Sequence, residues 1–215
     1  MDFLVKFKRS HFYFFIKPIY IIKIGGNIID DPEALDQFLV DFSKIKSNKI
    51  LVHGGGKLAT QLAEKMGVET VMAEGRRITD KATLDIVTMI YGGLINKNIV
   101  AKLQSLHTNA IGLTGADAGV VLSEKRPVKS IDYGYVGDIK NVNETTLNTL
   151  ISIGLVPIFA PLTADKNGQI LNTNADTIAS SIAVALSAEY DVRLIYCFEK
   201  KGVLENVEDP NSVIP

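Results

Sequence analysis

The sequence contains one cysteine, Cys197, and no long hydrophobic run. A single cysteine cannot form a disulfide within the chain, which fits a reducing compartment such as the cytoplasm. No apolar stretch approaches the roughly 18 residues that a membrane-spanning helix needs. Lys and Arg total 23 against 24 Asp and Glu, so the net charge of -1 provides no basic excess for nucleic acid. We therefore expect a cytoplasmic protein that binds neither membranes nor nucleic acid.

The overall composition is that of a globular protein. Hydrophobic residues make up 47% of the 215 residues and charged residues 22%, which excludes a disordered or fibrous chain. The length suits one large domain or two small ones and is sufficient to bury a full core.

The first 17 residues differ from the rest in mixing Phe and Tyr with Lys, Arg and His. Such a mixture fits an arm that docks on a membrane surface or a partner, or an export signal. Its apolar part, His11–Ile16, is shorter than a usual signal core, and no small-residue cleavage site follows. We expect residues 1–17 to form a mobile extension and residues 18–215 to form the folded domain.

Strand and helix patterns alternate from residue 18 onward. Ile19–Ile24 is an apolar run interrupted only by Lys23, as in a buried parallel strand, and Pro32–Ile45 has helical apolar spacing. Thr79 is predicted to cap a long helix, and the turn Asp165–Gly168 is predicted to close a hairpin. Three further segments have hairpin spacing: Val120–Leu122, Val128–Ile131 and Val136–Ile139. The pattern predicts an α/β fold with a mostly parallel central sheet.

Two glycine turns follow predicted strands, Gly25-Gly26 and Gly54-Gly55-Gly56. Gly54–Ala59 matches the G-x-G-x-x-[GA] dinucleotide pattern, and Glu74 lies where a ribose-binding acid is expected. A dinucleotide site leaves the first glycine turn unexplained, and the sequence contains no P-loop motif. Two turns that bring backbone N–H groups against oxyanions instead suit a polyphosphate or a transferring phosphoryl group.

Several charged and amide side chains also favour a site for an anionic ligand. Lys23 lies inside the apolar strand two residues before Gly25, so it needs a partner such as Asp176 or a phosphate to reach. Asn172–Asp176 supplies two amides and a carboxylate, and Arg77 supplies a fork for a substrate carboxylate. Each of these residues also has a structural interpretation as a helix cap, a snorkelling lysine or a solvated loop.

Five motifs together resemble the amino-acid kinase superfamily, and within it the kinases of arginine biosynthesis that act on an N-acyl-glutamate. They are Lys23–Gly26, His53–Gly56, Gly75–Thr79, Gly112–Gly115 and Asn172–Asp176. The resemblance implies a three-layer α/β/α sandwich around an open sheet. It also implies an N-terminal substrate half to about residue 153 and an ATP half from about residue 154.

The resemblance assigns a role to each matching residue. Lys23 stabilises the transferring phosphoryl group and Asp176 orients the lysine. The substrate is bound by Gly55, Gly56, Arg77 and Asn172, and the phosphoryl oxygens by Gly25, Gly26 and Gly54. The implied reaction is ATP-dependent phosphorylation of the side-chain carboxylate of N-acetyl-L-glutamate, with Mg²⁺ bound through the ATP phosphates and no metal ligands from the protein.

Two departures from the family pattern stand near the C-terminus. The nucleotide segment reads Cys197–Val203 instead of the usual Thr/Ser-Asp-Val type. The sequence stops at Pro215 before a Gly-Met-x-x-Lys stretch whose lysine assists the departing phosphate. We expect a protein that ends there to turn over much more slowly than a complete one.

Several alternatives stay open at this point. The acyl group could be succinyl, with Arg76, Lys81 or Lys97 as partners of its carboxylate. Other possibilities are another kinase of the superfamily, a dinucleotide-dependent oxidoreductase, or a fragment that binds acyl-glutamate without turnover. Relatives that form hexamers use an N-terminal helix that residues 1–17 match poorly, so a homodimer is expected.

Overall fold

The computed structural model describes residues 17–55, 57–197, 205–206, 209 and 211–213. The predicted extension therefore lies outside the described residues except for Lys17, where the first strand begins. In chain order the described elements are β1 (Lys17–Ile24), α1 (Gly26–Asp30), α2 (Pro32–Lys44), β2 (Asn48–His53), α3 (Leu58–Lys65), β3 (Met72–Ala73), β4 (Arg76–Arg77), α4 (Lys81–Val87), a π-helical segment (Thr88–Ile95), α5 (Asn96–Ser105), β5 (Ala110–Leu113), a 3₁₀ turn (Asp117–Gly119), β6 (Val121–Lys125), β7 (Gly137–Val142), α6 (Glu144–Ser152), β8 (Val156–Phe159), β9 (Leu162–Ala164), β10 (Ile170–Asn172), α7 (Ala175–Leu186) and β11 (Tyr190–Cys197).

The central sheet has five parallel strands in the order β11-β1-β2-β8-β5. Its side chains alternate between two hydrophobic clusters, as the period of a strand requires. Ile22 and Ile24 pack with α2 to α5 on one face, and Ile19 and Ile21 pack with α6 and α7 on the other. The predicted three-layer α/β/α sandwich is confirmed.

Four other strands form a second, separate sheet in the order β10-β9-β6-β7. β9 and β10 form the hairpin predicted around Asp165–Gly168, with Gly168 at a φ of 83°. β6 and β7 overlap the first and third of the segments with hairpin spacing, and they pair antiparallel with each other.

Two local predictions are wrong. Val128–Ile131 is not a strand but an exposed loop, since it follows Pro127, which has no N–H to donate, and Val128 is 62% exposed. The N-cap of α4 is Asp80, whose Oδ1 accepts from the Thr83 N–H at 2.7 Å. Thr79 is instead fully buried and bonded to a distant residue, Asn172.

The register of the sheet brings both glycine turns together. β1 and β2 run side by side with Ile24 opposite His53, so both turns begin at the same edge. Ligands of open parallel sheets bind at this carboxyl edge. No helix among the described residues is long and apolar enough to cross a membrane.

Candidate active site

A cavity of about 340 Å³ opens at the carboxyl ends of β1 and β2. Six residues singled out from the sequence line it: Lys23, Gly54, Gly55, Arg77, Asn172 and Asp176. Lys23 and the Gly54–Gly55 turn meet because the parallel strands β1 and β2 end at one edge of the sheet. Arg77 comes from β4, Asn172 from β10 and Asp176 from α7.

Lys23 and Asp176 form an ion pair inside this cavity. Lys23 Nζ lies 2.9 Å from Asp176 Oδ1, and the two side chains are 16% and 51% exposed. The lysine comes from β1 and the aspartate from the first turn of α7. A mostly buried ammonium needs such a partner, and the carboxylate holds it at the cavity while leaving N–H donors for a second anion.

The glycine turns offer fewer free donors than the sequence suggests. The Gly25 N–H donates to the Cys197 carbonyl at 3.3 Å, and the Gly54 N–H donates to the Ile24 carbonyl at 2.9 Å. Gly26 opens α1 and does not line the cavity, nor does Gly25. Among the described residues, the N–H groups of Gly26 and Gly55 have no hydrogen-bond partner. Phosphate binding by Gly25 and Gly54 through their N–H groups would therefore require these bonds to open.

Arg77 lies on β4, and its guanidinium donates to two neutral hydroxyl groups. Nη1 donates to Thr70 Oγ1 at 3.0 Å, and Nη2 donates to Thr60 Oγ1 at 2.8 Å. Both acceptors are neutral hydroxyls, so they orient the guanidinium without neutralising it. Three of its five N–H groups are left for a carboxylate.

Asn172 is oriented through Thr79. The Thr79 hydroxyl donates to the Arg77 carbonyl at 3.2 Å, so its oxygen accepts from Asn172 Nδ2, at 3.1 Å. With Nδ2 used in this way, the Asn172 carboxamide oxygen is available as an acceptor at the cavity. A short chain of bonds thus couples Asn172 to the main chain of Arg77, two of the four predicted substrate-binding residues.

Tyr91 is a cavity residue that sequence reasoning missed. It lies in the π-helical segment, is 6% exposed, and packs its ring against Gly55, where an added Cβ would overlap the ring. Burial raises the pKa of its phenol, and the nearby Arg77 opposes that shift. The only sequence signal is an aromatic residue before Gly92-Gly93 in a helix that otherwise reads as core.

Other predicted residues lie elsewhere. Glu74 is at the tip of the β3–β4 turn with a φ of 49°, where it accepts from the Tyr133 hydroxyl at 3.0 Å. Gly56 and the nucleotide segment beyond Cys197 lie outside the described residues.

A magnesium ion fits this site only with ATP as its main ligand. Among the described residues no group of three or more His, Cys, Asp or Glu side chains could hold a metal. Asp176 supplies the carboxylate in the cavity, and one of its oxygens is paired with Lys23. Mg²⁺ bound largely by phosphate oxygens and water is common in phosphoryl-transfer sites.

Lys23, two arginines (Arg76 and Arg77) and the Gly55 residue, whose N–H has no partner among the described residues, therefore line one cavity at the carboxyl edge of a parallel sheet. That combination defines a site for anionic ligands of the kind used in phosphoryl transfer. The family model described as the amino acid kinase family matches residues 18–215, and the chain belongs to that family.

Relatives of high sequence identity indicate which members of the family this chain resembles. A protein named acetylglutamate kinase from Cytophaga hutchinsonii is 63% identical over 200 residues, which are 93% of this chain and 76% of the relative. The acetylglutamate kinase of Phocaeicola vulgatus is 59% identical over 195 residues, covering 91% and 76%.

Solved structures agree on the fold. The crystal structure of smu.665 from Streptococcus mutans UA159 superposes with a TM-score of 0.75 at 31% identity, over 87% of this chain and 75% of that one. An N-acetylglutamate synthase from Neisseria gonorrhoeae also reaches a TM-score of 0.75, at 20% identity, over 91% and 44%.

Proposed function

We propose that this protein transfers the γ-phosphoryl group of ATP to the side-chain carboxylate of N-acetyl-L-glutamate, in arginine biosynthesis. The observation that carries the proposal is that the Lys23–Asp176 ion pair and Arg77, whose hydrogen-bond acceptors are neutral hydroxyls, line the same cavity. High identity to proteins named acetylglutamate kinase supports the same reaction.

The chemistry needs no general base. A glutamate side chain has a reference pKa of about 4.3, so the nucleophile is already ionised at neutral pH. The obstacle is the approach of two anions, which positioned cations and N–H donors relieve. Lys23 is the cation placed to stabilise charge on the transferring group, and Asp176 keeps its ammonium in position.

Substrate binding is assigned to three other residues that line the cavity. Arg77 offers its fork to the α-carboxylate, and Asn172 offers a carboxamide oxygen to the acyl-amide N–H. Gly55 lines the same cavity, and its N–H has no partner among the described residues. Gly56 is included as a substrate-binding residue on the strength of the sequence motif alone.

The experiment is an ADP-release assay with Mg·ATP and N-acetyl-L-glutamate, beside calorimetric binding of the same substrate. Lys23→Ala is expected to lower turnover by about 100-fold or more while changing substrate affinity little, because its charge acts on the transition state. Lys102→Ala is the matched control, since that lysine pairs with Asp36 on the surface. Equal turnover in the parent and in Lys23→Ala would contradict the assignment.

The acyl group is tested in the same assay with N-succinyl-L-glutamate. Of the three side chains considered for a second acyl carboxylate, Arg76 lines the cavity. Lys81 pairs with Asp85, and Lys97 donates to Asn96 Oδ1 and the Gly112 carbonyl, both at 3.2 Å. Arg76 is therefore the residue that would favour a succinyl substrate.

The proposed function also includes a metal ion, an oligomeric state and a cellular compartment. Mg²⁺ enters with ATP, the protein works as a homodimer, and the reaction takes place in the cytoplasm. Light scattering of the purified protein measures the dimer directly, and omission of Mg²⁺ from the assay tests the metal.

A further inference from the structure

A buried histidine that the proposed reaction does not use lies directly before the second glycine turn. His53, the last residue of β2, has 0% exposure. Its Nδ1 lies 2.8 Å from the carbonyl oxygen of Gly54. Because a carbonyl oxygen only accepts, Nδ1 must carry the ring proton.

The other ring nitrogen is satisfied by Asn96. Asn96 Nδ2 lies 3.1 Å from His53 Nε2 and donates to the Ile158 carbonyl at 2.9 Å. Its Oδ1 accepts from Lys97 Nζ at 3.2 Å. All four contacts agree with one tautomer, protonated at Nδ1, and with a neutral ring.

Neutrality is reinforced by burial. Loss of water around the ring lowers the pKa of His53 to about 4, because the charged form cannot be solvated there. At physiological pH the ring is therefore a fixed donor to Gly54 and a fixed acceptor from Asn96.

The consequence for the turn follows from peptide geometry. In a planar trans peptide the N–H points opposite to the C=O of the same unit. The Gly54 carbonyl and the Gly55 N–H belong to one such unit. Since His53 holds the carbonyl, the N–H must point away from the histidine. Gly55 also lines the cavity, and its N–H has no partner among the described residues.

We propose that His53 and Asn96 are a positioning pair: Asn96 fixes the Nδ1-protonated tautomer of the imidazole, and that tautomer of His53 aims the Gly55 N–H at an anionic oxygen of the reacting carboxylate or phosphoryl group. The inference rests on the proposed function, which supplies that anion. The pair touches no reactant itself and acts through the orientation of one peptide unit.

Two substitutions separate the two bonds of the histidine. An Asn side chain places its amide nitrogen near Nδ1, so His53→Asn retains a donor to Gly54 and loses Asn96. A Gln side chain reaches the position of Nε2, so His53→Gln retains the contact with Asn96 and loses the donor. We expect His53→Asn to keep turnover within about fivefold of the parent, and His53→Gln to lose about 100-fold, the effect of one misdirected donor.

Lys49→Met is the matched control for lost stability. Lys49 stands near the other end of β2, is buried, and donates through Nζ to the carbonyls of Phe42, Ser43 and Ile45. Its substitution should lower the melting temperature without lowering turnover measured well below that temperature. If turnover in the His53 variants simply follows their melting temperatures, as a structural role predicts, the proposal is wrong.

A spectroscopic readout makes the test independent of turnover. In ¹H–¹⁵N spectra of the parent, the Gly55 amide proton should move downfield on addition of N-acetyl-L-glutamate. The shift should persist in His53→Asn and disappear in His53→Gln. An unmoved Gly55 resonance in a parent that calorimetry shows to bind the substrate would overturn the proposal.

Failure of the proposed function is a separate result. A parent that neither binds N-acetyl-L-glutamate nor releases ADP contradicts that function. The positioning pair is then tested by titrating inorganic phosphate into the same three proteins. A Gly55 shift of equal size in the parent and in His53→Gln, or none in the parent, would contradict the pair.

Discussion

Gly55 shows at the scale of one residue how the site excludes a side chain. The Gly55 backbone does not adopt the left-handed region that favours glycine; the constraint is the Tyr91 ring packed against its Cα. A glycine here allows the turn and the aromatic ring to approach closely, and both residues line the cavity. The requirement for glycine is therefore tertiary in origin.

Gly55→Ala is expected to weaken N-acetyl-L-glutamate binding by about tenfold or more and to lower stability by about 1–3 kcal/mol, because the added methyl must displace the ring. Calorimetry and thermal melting measure both. Adding Tyr91→Ala should recover the part of the stability that the overlap costs.

Gly93→Ala is the control for Gly55→Ala. It lies two residues from Tyr91, and an added Cβ would meet nothing within 4 Å. It should leave binding unchanged. An equal loss of binding in both alanine variants would show that the Tyr91 contact is not the reason.

The helical run from Lys81 to Ser105 is wound more widely in its middle than at its two ends. Its middle is π-helical, and the Asn96 N–H reaches the Tyr91 carbonyl, five residues back. In a regular α-helix of 3.6 residues per turn, side chains five apart diverge by about 140°. The wider turn brings Tyr91 and Asn96 toward one side, where both contact residues of the Gly54–Gly55 turn or its histidine.

The N-cap of α7 lies next to the aspartate that pairs with Lys23. Asn174 Oδ1 accepts from the Thr177 N–H at 2.9 Å, and Asp176 stands in the same first turn. Asn174→Ala should cost about 1 kcal/mol of stability and also lower turnover, because the turn that holds Asp176 against Lys23 loosens. Urea denaturation and the ADP-release assay measure the two effects.

Asn143→Ala provides the comparison for Asn174→Ala. Asn143 caps α6 in the same way, accepting from the Thr146 N–H at 3.0 Å, and does not line the cavity. It should lose similar stability and keep full turnover. Equal turnover in the two variants would mean that the α7 cap has no role in the site.

The stability of the whole molecule should depend on pH through His53. Its folded pKa of about 4 lies below the unfolded value of about 6.5. Between these values the unfolded chain binds a proton that the folded chain does not, so stability falls as the pH drops through this window. Asp41 and Asp80 have pKa values below the usual 3.8, so their contributions are lost only at more acid pH.

The expected loss from pH 7 to pH 4 is on the order of 3 kcal/mol, from a shift of about 2.5 pKa units. Urea denaturation at several pH values measures it, and His53→Asn should show a smaller decline. Parallel curves for the parent and His53→Asn would contradict the assignment to His53.

Much of the architecture was predictable because it depends on local pattern. Ile19–Ile24, broken only by Lys23, forms β1, and Ala175–Leu186 forms α7 with the predicted bounds. Apolar periodicity and glycine turns report burial and chain reversal directly. The Lys23–Asp176 partnership was also open to prediction, because a buried ammonium requires an anion.

The sequence by itself determined the alternation of strands and helices, the two glycine turns, and the chemical types gathered for an anion. Tertiary structure alone decided which of those groups are free to act. Gly25 and Gly54 have their N–H groups bonded to main-chain carbonyls, while the Gly55 N–H has no partner among the described residues. Asn96 and Tyr91 reach His53 and the turn from helical segments distant in sequence, and neither hydropathy nor spacing records such contacts. Hydrogen bonds and ring packing depend on the relative position of folded elements, which is set only when the layers pack together.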